Sequence, residues 1–205
     1  MESSINLGIA VLAEGQVAKE AVRLGRLIAD SVETVMGGGH PSPYITLVQG
    51  KFPRRNLGRI RDAFRHGVSS QLNFLLSSEL CLHPNGDVFW VAIKSPALQG
   101  QHEVFSRCFC PLAEGMLLEE SQVLDSNPNL SPGNRRILSK YGMLLAGPNF
   151  FPHIILARVK RPEYWREVVQ SLKATDMSFR TSKFILGKIN QYGQMVETID
   201  TKTLD

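Results

Sequence analysis

The chain has 205 residues, of which 43% are hydrophobic and 20% are charged, the balance of an ordinary folded globular protein. No apolar run approaches the ~20 residues that span a bilayer, so we expect no membrane association. The segment MESSINLGIAVLAEG has no basic stretch before its short apolar run, which argues against a secretory signal. Three cysteines do not make a disulfide framework, and the sequence therefore predicts a reduced, cytoplasmic protein.

The first half of the chain predicts strands and helices in alternation. Apolar residues at every second position from Ile5 to Val11 predict a strand, and helical spacing over 16–35 predicts an amphipathic helix. GGGHPSP is typical of a loop, and the β-branched YITLVQG predicts a second strand. A short helix follows, and NFLLSSELCLHPNGDVFWVAIKS predicts a hairpin with a type I′ turn at Asn85 and Gly86.

The second half is clear only after residue 130. We expect loop and at most one helix over 95–130. Ser131 and Pro132 predict the start of a helix that Gly142 ends. PHIILARVK predicts a strand, a helix begins near Pro162, and FRTSKFILGKINQYGQMVETI predicts a final hairpin. The fold class indicated is α+β.

One strand pattern occurs twice, 109 residues apart. PYITLVQGK at 43–51 and PHIILARVK at 152–160 share a proline, an isoleucine, a leucine and a lysine at matching positions. We therefore expect a single bilobal domain over 1–205. Each lobe would be a mainly antiparallel sheet with helices outside, and the lobes would face each other across a central groove.

Alternation along a strand places residues i and i+2 on one face. Tyr44 and Thr46 therefore share a face, as do His153 and Ile155. The intervening apolar residues of both copies point into the cores. If the lobes face each other, these four side chains line one groove.

This repeat resembles the two-histidine phosphoesterase superfamily, which carries two copies of apolar-His-x-Thr-apolar, one per lobe, and includes RNA 2′,3′-cyclic phosphodiesterases and bacterial RNA 2′-5′ ligases. The opening strand and helix and the closing hairpin are also similar to that family. The resemblance implies that His153 acts as a general acid or base, that Thr46 holds phosphate, and that no metal or cofactor takes part. Tyr44 and Ile155 depart from the pattern, because they replace the first histidine and the second threonine.

Four further residues are candidates for binding phosphate or a nucleotide. Lys51 and Arg158 follow the two repeat strands, and Tyr192 could stack on a base. His40 could fold back from its glycine-rich loop into the groove. For each residue a purely structural role is the alternative.

The positive charges of the chain form two groups, each directly after one copy of the repeat. Such groups suit an anionic partner such as phosphate, nucleotide or RNA, and a solvated charged face is the alternative. The groups are Lys51, Arg54, Arg55, Arg59, Arg61 and Arg65, and Arg158, Lys160, Arg161 and Arg166.

A zinc site is the weakest alternative that the sequence offers. Cys81, His83, Cys108 and Cys110 form two i, i+2 pairs that could meet on adjacent strands. Their spacing fits no common zinc motif, and free cysteines are often buried apolar residues. We therefore expect no metal.

Together these features predict a phosphoesterase-like protein that binds a nucleotide or an RNA end in the groove, with weak or absent hydrolysis. One alternative is an active, metal-independent phosphodiesterase acting on 2′,3′-cyclic or 2′-5′ linkages. A second alternative is a protein-interaction scaffold without a ligand.

Overall fold

The structure is a computed structural model that describes residues 3–31, 42–68 and 70–204. Its helices are α1 (Gly15–Ser31), α2 (Leu57–Gly67), α3 (Pro96–Phe109), α4 (Glu119–Asp125), α5 (Pro132–Tyr141) and α6 (Arg166–Ser171). Its strands are β1 (Ser4–Leu12), β2 (Tyr44–Pro53), β3 (Leu72–Leu82), β4 (Asp87–Ala92), β5 (His153–Arg158), β6 (Met177–Thr181), β7 (Lys183–Ile189) and β8 (Met195–Thr203). No helix within the described ranges is long and apolar enough to cross a bilayer.

The strands form one eight-stranded sheet in the order β6-β3-β4-β5-β2-β1-β7-β8. All of its pairings are antiparallel. Two four-stranded halves meet where β2 pairs with β5, through the single residue pair Ile45 and Ile154. The α+β class and the two similar halves are thus confirmed, and the two repeat strands are direct neighbours at the junction of the halves.

The short connection between β6 and β7 shows that the sheet is curled. Only Ser182 separates the two strands along the chain. These two strands occupy the first and seventh positions of the sheet. One residue spans at most ~3.6 Å, whereas even neighbouring strands lie about 4.8 Å apart. In a flat sheet Ser182 could not connect strands six positions apart, so β6 could not pair with β3 while β7 pairs with β1. The sequence interpretation of 179–199 as one hairpin was therefore wrong at its start. Phe179 belongs to β6, which pairs with β3 at the other end of the sheet.

The main core lies on one face of the sheet. Ile45, Leu47 and Ile154 are almost completely buried there, as alternation along the repeat strands predicts. They belong to a single apolar cluster with α1, α2 and α3, rather than to two separate cores. The core thus fixes which face of β2 and β5 is left for a groove.

Capping residues in the sequence predicted the ends of one helix correctly, and those of another were not used. Ser131 caps α5 by accepting a hydrogen bond from the Asn134 amide, and Gly142 ends that helix at φ 75°, both as predicted. Ser95 caps α3 in the same way before Pro96. Over 95–130 the structure has two helices, α3 and α4, where at most one was expected.

The turn between β3 and β4 differs from the predicted type I′ turn. A type I′ turn needs a positive φ at both Asn85 and Gly86. Within this turn only Gly86 has one, at 91°. The Gly86 amide donates to the His83 carbonyl oxygen at 2.9 Å. A tight turn over 83–86 with glycine last is the structure that Pro84 at its second position favours.

Candidate functional site

A groove lies on the face of β2 and β5 opposite the core. Thr46, His153 and Ile155 line it, and its cavity volume is about 100 Å³. The turns of two hairpins also reach it, one through His83 and the other through Tyr192. The groove is therefore built from both halves of the sheet, as the repeat predicts.

His153 is held as a neutral imidazole with a defined orientation. Its Nδ1 lies 2.7 Å from the carbonyl oxygen of Phe151, and its ring centroid lies 3.8 Å from that of Phe89. A carbonyl oxygen only accepts, so Nδ1 carries the proton and Nε2 is left as an acceptor. Burial among these rings lowers the pKa of His153 to about 4. At neutral pH the residue can take a proton but has none to give from Nε2.

Thr46 and Ile155 stand on the two sides of the junction between the halves. Thr46 is half-buried and lines the groove, and its hydroxyl makes no hydrogen bond to the described part of the chain. Ile155 presents an apolar side chain at the position where the family resemblance expects a second hydroxyl. The described groove therefore offers one threonine hydroxyl to a ligand.

Tyr44 does not line this groove within the described residues. Its hydroxyl accepts a 2.7 Å hydrogen bond from the backbone amide of Met195. Its ring packs beside a small apolar cluster that contains Ala10, Leu12 and Ile185. Burial raises the pKa of the Tyr44 hydroxyl. The amide at the start of β8 thus engages the hydroxyl of Tyr44, and a role for Tyr44 beside Thr46 in ligand binding stays a prediction.

Arg158 forms an ion pair with Asp87 and is not among the described residues that line the groove. Its Nε and Nη2 atoms donate to Asp87 at 2.6 and 2.7 Å. The two side chains are only 12% and 5% exposed. The hydrogen bonds to Asp87 raise the pKa of Arg158. Its guanidinium also lies 4.5 Å from the ring centroid of Tyr192, which does line the groove.

The remaining candidates lie elsewhere. Lys51 pairs with Asn6 at the far end of β2 and is not part of the described groove lining. His40 lies outside the described residues. The lining contains two carboxylates, Asp87 and Glu120, and no lysine or arginine from the described ranges.

The proposed zinc ligands do not assemble. Cys81 and Cys108 are exposed and Cys110 is half-buried, and all three are free thiols. No group of three metal-binding side chains occurs among the residues that the structure describes.

Sequence reasoning missed the second histidine of the groove. His83 lines the same space as His153, and it was considered only as a zinc ligand. The missed signal is the hairpin register, in which the His83 amide donates to the Asp87 carbonyl oxygen at 2.8 Å. That register places His83 beside a strand that borders β5.

Comparison with solved structures gives the same fold at low sequence identity. TT0787 of Thermus thermophilus matches with a TM-score of 0.59 and 16% identity, covering 98% of each chain. LigT of E. coli complexed with NADP+ matches with a TM-score of 0.59 and 12% identity, covering 98% of this chain and 99% of LigT. E. coli LigT complexed with phosphate matches with a TM-score of 0.54 and 12% identity, covering 100% and 99%.

These likenesses confirm the fold that the resemblance to the two-histidine phosphoesterase superfamily implies. A protein described as a phosphoesterase also shares it, with a TM-score of 0.55 and 12% identity over 98% and 99% of the two chains. No family model and no curated protein sequence matches this chain. At these identities the likeness concerns the fold alone.

Proposed function

We propose that the groove binds a nucleotide or the phosphodiester end of an RNA, and that it hydrolyses such a ligand slowly or not at all. The observation that carries this proposal is the meeting of Thr46 and His153, one from each copy of the repeat, in one groove. Two structures that share the fold are complexes with NADP+ and with phosphate.

The size of the groove limits how a ligand would sit. Pockets that enclose a drug-sized ligand measure roughly 300–1,000 Å³, whereas this cavity measures about 100 Å³. A phosphoryl group fits such a space, and the rest of a nucleotide would lie across the rim. Phe151 and Tyr192 at the rim offer aromatic faces on which a base can stack.

Slow hydrolysis is what we expect from the residues at the two histidine positions of the repeat, Tyr44 and His153. Hydrolysis of a cyclic phosphate requires one group to remove a proton from water and another to protonate the leaving oxygen. His153 can accept a proton, but its pKa of about 4 makes it a weak base. Tyr44, at the other motif position, is a phenol whose pKa is raised by burial, which makes it a weaker acid still.

Binding is tested by titrating the protein with a 2′,3′-cyclic nucleotide in the absence of metal, followed by isothermal calorimetry or NMR. Thr46→Val should weaken binding about tenfold, because it removes one hydrogen bond to a charged phosphoryl group, a contact worth about 1.5 kcal/mol. Thr203→Val, at an exposed position at the far end of β8, is the matched control and should leave binding unchanged. Equal affinities for both variants, or no binding to the natural chain, would contradict the proposal.

The slow-turnover part is tested by restoring the family groups. The double variant Tyr44→His with Ile155→Thr should hydrolyse 2′,3′-cyclic nucleotides at least about 10²-fold faster than the natural chain, the lower end of what one acid or base contributes. His153→Ala should abolish that gain. Rapid hydrolysis by the natural chain would instead favour the alternative of a fully active phosphodiesterase.

A further inference from the structure

The groove contains a second imidazole that neither copy of the repeat supplies. His83 and His153 line the same cavity, and both contact the ring of Phe89. The ring centroid of Phe89 lies 5.5 Å from His83 and 3.8 Å from His153. Two histidines therefore border one small space, although only one of them lies in a family-like motif.

Hydrogen bonds fix the orientation of the His83 ring. Its Nδ1 lies 2.8 Å from Oδ1 of Asn85. The amide of Asn85 cannot be flipped, because its Nδ2 donates to Asp87 Oδ2 at 2.9 Å and its Oδ1 accepts from the Asp87 backbone amide at 3.1 Å. An amide oxygen only accepts, so Nδ1 of His83 carries a proton and Nε2 remains for a ligand.

A buried ion pair anchors this arrangement. Asp87 accepts two short hydrogen bonds from Arg158, and both side chains are nearly buried. The turn itself is closed by backbone hydrogen bonds, from the Gly86 amide to the His83 carbonyl oxygen and from the His83 amide to the Asp87 carbonyl oxygen. The additional bonds hold His83, Asn85, Asp87 and Arg158 as one connected series, which is how an imidazole is held in one tautomer for acid or base work.

The two imidazoles have different electrostatic surroundings. His153 faces the rings of Phe89 and Phe151, and burial there opposes a positive charge. His83 is less buried and connects through Asn85 to the carboxylate of Asp87. The charged groups around the groove are the Asp87–Arg158 pair and, on α4, Glu120. One imidazole is thus enclosed by aromatic rings and the other is connected to a carboxylate, and general acid and base catalysis uses such a difference in surroundings.

We infer that His83 is the proton donor of the groove and that His153 is the acceptor, so that together they carry slow hydrolysis of a 2′,3′-cyclic phosphate. This inference rests on the proposed binding of a phosphodiester between Thr46 and His153. Water attacks phosphorus while Nε2 of His153 takes its proton. The bond from phosphorus to one ribose oxygen breaks, and Nε2–H of cationic His83 protonates that oxygen. The product is a nucleoside monophosphate, and exchange of protons with solvent restores both rings.

The test measures kcat of three proteins, the natural chain, His83→Gln and His153→Ala, on each of two substrates. The first is a 2′,3′-cyclic nucleotide, whose ribose leaving oxygen needs a proton. The second is its analogue in which sulfur replaces the ribose oxygen that leaves phosphorus, so that water attacks in the same way and the thiolate leaves with little need of a proton. His83→Gln should lower kcat on the cyclic nucleotide by about 10²-fold and change kcat on the sulfur analogue by less than about threefold. His153→Ala should lower both by about 10²-fold.

Control variants separate chemistry from folding and from binding. His66→Gln removes an exposed imidazole of α2 and should change neither rate. Asn85→Ala keeps the His83 ring but removes its orienting amide, and should lower kcat on the cyclic nucleotide alone. Calorimetric titration with the cyclic nucleotide checks that each variant still binds, and circular dichroism checks that it is folded.

The outcomes separate this inference from the proposed function. Binding of the cyclic nucleotide without measurable hydrolysis by the natural chain would overturn the role of His83 and leave the binding function standing. Equal losses on both substrates in His83→Gln would also overturn it, because they would mean a structural role. Failure of the natural chain to bind would overturn the proposed function itself.

Discussion

Acid should destabilise the natural chain more than it destabilises a His153→Gln variant. Burial lowers the pKa of His153 to about 4 in the folded protein, whereas an unfolded histidine has a pKa of about 6.5. Between these two values the unfolded chain binds a proton that the folded chain does not. Stability is therefore fully present above pH 6.5, is lost as the pH falls toward 4, and levels off below that.

The magnitude follows from the two pKa values. Each unit of difference corresponds to about 1.36 kcal/mol, so lowering the pH from 7 to 4 should cost about 3 kcal/mol through His153 alone. Other groups also titrate in this range, among them His102, whose burial likewise lowers its pKa. Their contributions are shared by both proteins and cancel in the comparison.

The assay is urea unfolding of both proteins at pH 7 and at pH 4, monitored by fluorescence. The natural chain should lose about 3 kcal/mol more than His153→Gln between these two pH values. The imidazole resonances of His153 should also titrate near pH 4 in the folded protein. Equal losses in the two proteins, or an NMR midpoint above pH 6, would refute the buried, neutral state on which the proposed base role depends.

Three other variants test the fold and the charge distribution. Arg158→Ala should destabilise the protein by about 3 kcal/mol, because it leaves the nearly buried carboxylate of Asp87 without a positive charge beside it; Lys188→Ala, which removes an exposed ion pair, is its control in urea unfolding and should change little. Gly86→Ala should cost at least about 2 kcal/mol in thermal unfolding, because φ is +91° and a Cβ would lie 2.2 Å from the Val159 carbonyl oxygen. If the ligand is RNA, removing three exposed arginines together should flatten the decline of affinity with salt, measured by fluorescence anisotropy, and an unchanged slope would assign them to a solvated face. These arginines are Arg54, Arg55 and Arg59.

Local sequence signals predicted those features that depend on a few neighbouring residues. Ser131 and Gly142 delimit α5 as expected, because capping needs only the groups at the helix ends. The same reasoning applied to Ser95 and Pro96 would have placed the start of α3 within 95–130, where at most one helix was expected and its position was not given. The turn at Gly86 shows the limit, since the dipeptide Asn-Gly fits several turns and the chain places it at the end of a tight turn over 83–86.

The two copies of the repeat determined much of the candidate site. Strict alternation sends Ile45 and Ile154 into the core and leaves Thr46 and His153 on the other face, and the structure has this arrangement. Apolar burial enforces this alternation, because a shift of one residue would expose every core side chain of the strand.

Other features were decided only by the tertiary structure. Tyr44 shares a strand face with Thr46, yet the amide of Met195, 151 residues away, engages its hydroxyl. His83 enters the groove only because β4, which follows the turn that contains His83, lies beside β5. Such contacts join residues that are far apart along the chain, and strand order, which no local pattern encodes, brings them together. The sequence by itself therefore determined which faces of β2 and β5 are apolar, whereas the curl of the sheet decided which polar side chains share the space between them.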